Sequence, residues 1–597
     1  MQNQRFAASP QFWSGLWLYA RYQALTKLLL FLAAFPLFKY LMNSLIASSG
    51  RTVLSSGDYL PVLFSWQGAL LAVLGIALVV LTIATDICAF IIMESTRIKH
   101  GSYPSVVQTL LAALKSTRLF LHPATLLLVG YVGLIAPLGG IGLSVGPLRD
   151  FKIPNFITDV IYNTPLYLGA YLAALPVFAL LGFFLLFTFH FVLLAGDTPW
   201  QGMKHSLDFV RRHKGRMLKT LPKMLLGIAA AAALTVAATA LLQFLPGLAQ
   251  SIGAQRFWTM FTLLLGAEML AAVLFFAGPL VLRSLTVFFW QHDEKPRGLP
   301  PLPPAQIPAL VRIPRLFAAG VLGVLLFNAA LSAFTAHFFQ ELFRSQRPIA
   351  VIAHRGGGNL GAENTLAGLE AAIAAGAAWS EIDVQRTSDG GYVINHDKDF
   401  ARLSGSGKTS AEMTLAEARA LPVKDLFDSS RANGKVATLE EFMDAAKGRI
   451  GLFIELKGAT ADTQMVDDVA RLIKAKGMER EAAILSLDYK LIQYSEAKYP
   501  ELDSGFLYFF TFGNPATLTG DYLIMEEGEA TSANIEAIRA AGKRVVVWTV
   551  NTDESIARFT AADVDGVITD YPVKVKNAIA ERKNLSDRQL ILEKLLE

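Results

Sequence analysis

Two patterns of hydrophobic spacing divide this chain near residue 345. Before that point, long apolar runs alternate with short basic stretches. A helix needs about 20 mainly apolar residues to cross a bilayer. Seven stretches meet that length: 28–46, 69–94, 122–143, 166–195, 223–247, 258–282 and 316–340. After residue 345 the apolar runs shorten to strand length and sit between helical patterns. The strands expected are Val351–His354, Glu381–Val384, Leu452–Leu456, Ala483–Ser486, Ser504–Tyr508, Asp521–Met525, Val545–Thr549 and Gly566–Thr569. Ala-rich helices such as Leu366–Ala375, Met465–Lys476 and Ala533–Ala541 lie between them. Strand–helix alternation argues for a parallel sheet, and eight repeats in this length predict a TIM (β/α)8 barrel. A doubly wound sheet is the alternative, but it rarely uses eight evenly spaced units. The expected fold is thus an α-helical polytopic membrane domain over 1–345 and an α/β barrel over 346–597, with an insertion at about 386–448.

Composition agrees with that division. Hydrophobic residues make up 53% of the 597 positions and charged residues 17%, against about a quarter in soluble domains. Mean hydropathy is +0.41 and the pI is about 9.0. The basic residues lie between apolar runs rather than on one face, which fits membrane topology and not nucleic-acid binding. The single cysteine, Cys88, excludes an internal disulfide framework. The first apolar stretch lacks a small-residue cleavage site, so it reads as a retained span.

Loop charge then sets orientation. Arg5, Arg21 and Lys27 precede the first span, Arg97, Lys99, Lys115 and Arg118 follow the second, and Lys204, Arg211, Arg212, Lys214, Arg216 and Lys219 follow the fourth. Lys295, Arg297, Arg312 and Arg315 follow the sixth, while 47–68 and 248–257 are poorer in basic residues. Basic loops stay cytoplasmic. Seven crossings then put the barrel on the extracytoplasmic side of a multi-pass cell membrane. Two basic loops open at prolines, Pro104 and Pro199, and continue as amphipathic stretches that suit the inner-leaflet interface and suggest a weak internal repeat. The segment around Pro300, Pro301, Pro303 and Pro304 is expected to be a stiff connector. Asp86, Glu268 and His190 fall within apolar runs. Ionisable groups at that depth mark either a pathway or a paired structural contact.

The chemistry lies at the ends of the expected strands, where barrels build their sites. The first strand runs into His354-Arg355-Gly356, and the second contains Glu381-Ile382-Asp383, whose carboxylates share one face. His396-Asp397 follows, and the third strand ends in Glu455-Leu456-Lys457. Glu381, Asp383 and Glu455 suit one hard divalent cation, Ca²⁺ or Mg²⁺. His354 and His396 suit general acid and base, and Arg355 and Lys457 suit the neutralisation of phosphate oxygens. Together these are the parts that phosphodiester cleavage needs.

The same residues resemble the glycerophosphodiester phosphodiesterase family over roughly 350–575. The likeness rests on His354-Arg355-Gly356, Glu363-Asn364-Thr365, Glu381-x-Asp383-Val384, Thr387-x-Asp389-Gly390, His396-Asp397, Glu455-x-Lys457, Trp548-Thr549-Val550-Asn551 and Asp565-Gly566-x-x-Thr569-Asp570-x-Pro572. The resemblance implies His354 and His396 as the acid/base couple, Glu381, Asp383 and Glu455 as metal ligands, and Arg355 and Lys457 on the phosphate. It brings in Glu363, Asn364 and Trp548 as supporting residues. The first half looks like the membrane domain fused to some bacterial members. The implied reaction is hydrolysis of glycerophosphodiesters, on lipid-linked or membrane-derived substrates, to sn-glycerol 3-phosphate and an alcohol. Membrane lipids are the expected partners. The aromatic run Tyr508-Phe509-Phe510 marks an apolar wall for a lipid-like leaving group. Three rival readings are a lipid-handling or transport protein with an appended enzyme, a catalytically dead barrel acting as a sensor or binding module, and a lyase-type transfer that releases a cyclic phosphate.

Overall fold

The computed structural model describes residues 10–51, 53–56, 62, 64–130, 155–292, 313–344 and 347–596. Its contacts divide the chain into two compact units. One comprises Met1–Leu41, Ala69–Ile153 and Val160–Phe339, and the other Met42–Gly68, Pro154–Asp159 and Gln340–Glu597.

The first unit is built of long helices. Six among the described residues are long and apolar enough to cross a membrane: Phe12–Ser48, Trp66–His100, Pro165–Ala195, Pro199–Leu248, Ile252–His292 and Ala318–His337. They leave large apolar side chains such as Phe31, Leu32, Leu226 and Leu234 exposed, as helices solvated by lipid can. The expected span at 122–143 lies mostly outside the described residues, as does the proline-rich connector. The two amphipathic stretches differ from each other. Val106–Ser116 is a separate short helix, whereas Pro199–Leu242 runs unbroken through its basic segment, so no distinct interfacial helix precedes that span. Both begin with a reciprocal cap, Ser105 with Gln108 and Thr198 with Gln201, which satisfies the free amides of a first turn.

Buried ionisable groups in this unit have fixed partners. Asp86 accepts from Lys27 at 2.9 Å and from Tyr22 at 3.2 Å. Arg21 and Lys27 are themselves helical, in Pro10–Leu29, and precede the expected span at 28–46. Glu268 accepts from Asn328 Nδ2 at 2.8 Å. Glu94, which no sequence pattern singled out, is fully buried and takes Tyr103 at 2.9 Å, Arg97 at 2.7 Å and the Tyr19 hydroxyl.

The second unit holds eight parallel strands, labelled here in chain order: β1 Ala350–Ala353, β2 Trp379–Arg386, β3 Gly451–Leu456, β4 Ala482–Ser486, β5 Asp503–Tyr508, β6 Tyr522–Glu526, β7 Arg544–Trp548 and β8 Gly566–Thr569. Each pairs with its neighbours, and β1 pairs with both β8 and β2, which closes the barrel. Side chains alternate across each strand. Ile352, Phe453, Leu485, Leu507, Ile524, Val546 and Ile568 form one inner cluster, while helices cover the outward residues. The expected insertion contains the strand Tyr392–Ile394 on β2, two short hairpins and small helices with their own apolar cluster around Phe400 and Leu403. The charged C-terminal tail is a docked helix, Asp587–Leu596. Leu590 and Ile591 are buried, and Asp587 pairs with Arg344 at 2.6 Å.

The same unit carries a strand from early in the chain. Val53–Ser55 pairs antiparallel with Thr511–Gly513, just past β5.

Candidate active site

Alternation along the strands decides what reaches the barrel mouth. Continuing the inner cluster by two residues from Ile352 gives His354, and from Phe453 gives Glu455. From Trp379 it gives Glu381 and then Asp383, and from Ile568 it gives Asp570. The expected ligands thus converge because each is in phase with its strand's lumen face.

Glu381, Asp383 and Glu455 are buried, and one carboxylate oxygen from each lies within 4.8 Å of the others. Packing three carboxylates in a dry site favours protonation unless positive charge is supplied. Burial and the neighbouring Asp383 push Glu381 up to about 8. Burial also raises Glu455. Asp383 is held below the usual carboxylate range despite its burial, by Lys457, His396 and Arg355, with a hydrogen bond from Asn364. Lys457 Nζ reaches Asp383 at 2.9 Å and Glu455 at 3.1 Å. Its first contacts are therefore the carboxylates, so the pair Glu455–Lys457 is an interior arrangement, not a surface one. Glu455 Oε1 is buried with no hydrogen-bond partner among the described residues. An anionic oxygen left bare in this way costs several kcal/mol, and a divalent cation would satisfy it. Three oxygen ligands around one bare atom therefore fit a hard cation.

Both histidines are held by aspartates. His354 Nδ1 lies 2.7 Å from Asp570 Oδ1, and His396 Nδ1 lies 2.9 Å from Asp397 Oδ1. Asp570 sits at about 2: burial would raise it, but the His354 interaction outweighs that. An ionised carboxylate can only accept, so Nδ1 of His354 carries the proton and Nε2 is left to work. That Nε2 is 3.9 Å from Glu381 Oε2. Burial would lower His354, yet Asp570 keeps it above its ordinary value. Burial prevails at His396 and lowers it.

The turn after β1 is bent to present these groups. Arg355 adopts φ 48° and Asn364 φ 58°, a region that costs a non-glycine residue roughly 1–3 kcal/mol. The bend persists because Arg355 N donates to Glu381 Oε2 at 2.9 Å, Gly356 N to Glu381 O at 2.7 Å and Asn364 N to Arg355 O at 2.6 Å. Gly358 passes so close that a Cβ there would lie 2.5 Å from the carbonyl oxygen of Asp570. Asn364 Nδ2 donates to Asp383 at 2.8 Å, and Glu363 takes Arg355 at 3.2 Å and Arg402 as well. Arg355 Nε is buried without a partner among the described residues, so one donor is spare. Trp548 ends β7 on the lumen side, its Nε1 donating to Ile524 O at 3.2 Å.

All the expected residues thus meet at one mouth. Three further residues complete it: Asp397 and Asp570, which stand in the quoted motifs without an assigned role, and Arg402, which bonds Asp397 at 2.6 Å. Asp570 was legible as the residue after the eighth strand, in phase with Ile568. Arg402 lies in the insertion and carried no signal. Tyr508 departs from the expected wall, being fully buried in the outer core, while Phe509 and Phe510 lie at the rim.

Comparison with known proteins gives two families. The glycerophosphoryl diester phosphodiesterase family matches residues 354–574, and the membrane domain of glycerophosphoryl diester phosphodiesterase matches residues 6–300. A glycerophosphodiester phosphodiesterase of Caldanaerobacter subterraneus is 28% identical over 241 residues, 38% of this chain and 97% of that protein. One from Bacillus subtilis is 25% identical over 282 residues, 43% of this chain and 95% of that protein. A solved phosphodiesterase of Oleispira antarctica, in complex with the product sn-glycerol-3-phosphate, is 26% identical. It covers 39% of this chain and 96% of its own, with a TM-score of 0.35.

Proposed function

We propose that this chain, which belongs to the glycerophosphoryl diester phosphodiesterase family, hydrolyses glycerophosphodiesters to sn-glycerol 3-phosphate and an alcohol, using one Ca²⁺ or Mg²⁺ held by Glu381, Asp383 and Glu455. The observation that carries this reading is the bare Glu455 oxygen within a three-carboxylate cluster, beside two imidazoles that each rest on an aspartate. When bound, the cation supplies Lewis-acid polarisation of the phosphate. Arg355 offers its spare guanidinium donor to a phosphate oxygen. Lys457 offsets carboxylate charge and stands ready for the phosphate once a cation takes over part of that work. One imidazole Nε2 takes the proton of the attacking water as its oxygen bonds to phosphorus. The other gives its proton to the alkoxide as the P–O bond breaks. Asp570 and Asp397 keep each ring in the tautomer that exposes Nε2.

The rival transport reading gains nothing from Asp86 and Glu268, since both have protein partners. The cyclic-phosphate reading differs in its product, which phosphorus NMR of the reaction mixture separates.

We further propose that the barrel lies on the extracytoplasmic side. The N-terminal charge pattern keeps residue 10 inside, so the loop at 49–65 is outside. Three residues of that loop pair with Thr511–Gly513 of the barrel's unit, which supports a common side. The pairing also demands an even number of crossings between residues 66 and 340. Five candidates are described there, and the expected span at 122–143, which lies mostly outside the described residues, would make the number even.

The test is glycerol 3-phosphate release from glycerophosphodiesters by the purified full-length protein, before and after chelation. Loss of turnover on chelation and recovery with Ca²⁺ or Mg²⁺ is expected. Full activity of demetallated protein would overturn the metal assignment.

A further inference from the structure

The mouth has two unlike arcs. Every charged group of the proposed chemistry stands on β2 or β3 or in the loops that follow β1, β2, β3 and β8. The facing arc, β4 to β7, offers Leu487 and Trp548 against the lumen cluster, with the buried Glu526 two residues beyond Ile524. Past β5 stands an aromatic rim. Phe509 and Phe510 are 5.4 Å apart between centroids, and Phe510 and Phe512 are 5.8 Å apart, with Phe512 51% exposed. A phosphodiester held over the carboxylates has two arms. Glycerol needs hydrogen-bonding partners for its hydroxyls, and aromatic rings give it none. An alkyl chain gains free energy with each methylene buried against such a surface.

That rim is held by a strap from elsewhere in the chain. Val53–Ser55 begins five residues after Ser48, where the first membrane helix ends. It pairs Val53 with Gly513, Leu54 with Phe512 and Ser55 with Thr511. All three strap residues are buried, and Val53 belongs to the apolar cluster outside β5 to β7. Ser56, also buried, accepts a hydrogen bond from Phe509 N at 3.2 Å. On its other side the rim is tied by Glu529, which accepts from Thr511 N at 3.0 Å.

We infer that this strap is a positioning element for the substrate: by fixing the backbone from Phe509 to Gly513, it sets an aromatic subsite for a long alkyl chain on the leaving alcohol. The inference rests on the phosphodiesterase reading above and narrows its substrate class to diesters of lipid-like alcohols. Ser56 and Leu54 act through the rim and touch no substrate. A barrel cut away from residues 49–56 lacks one side of that support.

The experiment uses the full-length protein in nanodiscs with two matched probes, the ethyl and dodecyl esters of sn-glycerol 3-phosphate. Wild type is expected to show a KM at least tenfold lower for the dodecyl ester. Leu54→Pro, whose ring is disfavoured in a paired strand, and Ser56→Ala should each cut that preference to threefold or less, with kcat on the ethyl ester within twofold of wild type. Ser56→Thr, which keeps the acceptor, should restore the preference. Independently, Leu54→Cys with Phe512→Cys should form a disulfide under mild oxidation, since Cys88 is buried. An unchanged chain-length preference in the strap variants, an equal loss of kcat on both esters, or failure of the cysteines to join overturns the inference. Turnover of neither ester by wild type overturns the phosphodiesterase reading and the subsite with it, while the cysteine pair still decides whether the strap is in place.

Discussion

Carboxylates are buried in both units, and they are treated in opposite ways. In the membrane unit the buried Glu94 meets Arg97 and two tyrosines, while the half-buried Asp86 and Glu268 meet Lys27 and the Asn328 amide. In the barrel Lys457 bridges only Asp383 and Glu455, one Glu455 oxygen is bare, and Glu381 is driven up to about 8. A buried charge with a full complement of partners holds helices together. A buried cluster short of positive charge is held in an unfavourable state by the surrounding fold, a shortage that a bound cation would relieve. Burial alone therefore does not separate structural from chemical carboxylates. The balance of donors around them does.

The largest expected effect sharpens this contrast. His354→Ala and His396→Ala should each lower kcat by about 10²–10⁴-fold, the usual worth of a positioned acid or base, with the melting temperature little changed. Steady-state assays beside thermal melts check this, and a kcat within tenfold of wild type for either would remove that histidine from the proton transfer.

Glu94→Ala probes the other side. It strips an arginine and two tyrosines of their shared acceptor, and breaking such a buried pair costs about 3–5 kcal/mol. Thermal unfolding in detergent should register that loss, while kcat below the transition stays near wild type. A selective loss of turnover with no loss of stability would erase the distinction between the two regions.

The smallest effect is a shift in a pH profile. Asp570 keeps the His354 imidazole above its ordinary value against the pull of burial. Asp570→Asn removes that charge, so the folded pKa of His354 falls. The limb of the kcat/KM profile that reports His354 should then move to lower pH, whichever role the ring plays. A limb that stays in place would show that Asp570 does not tune this histidine.

Much of this was legible along the chain. Eight strands were predicted within two residues of their observed ends, because a fully buried parallel strand reads as a short apolar run between turn signals. Glu381, Asp383 and Glu455 were placed together because a period of two puts them in phase with lumen residues. The Asp86 and Glu268 contacts were open between pathway and pairing, since a helix sequence states that a charge is buried but not what faces it. Arg402 escaped notice because an insertion residue has no periodic frame, and only the folded loop carries it to Glu363 and Asp397. The unbroken helix through 199–242 was also hidden, because an amphipathic segment and the span that follows share one helical period.

Periodicity, charge count and motif spacing are local quantities, and by themselves they determined the membrane half, the barrel and which carboxylates and histidines stand at the strand ends. The tertiary structure alone decided which buried charges are left short of partners, and it joined Ser56 to Phe509 across 453 residues. Such pairings depend on how the barrel closes and where the chain returns, and hydrophobic spacing along the sequence carries no record of either.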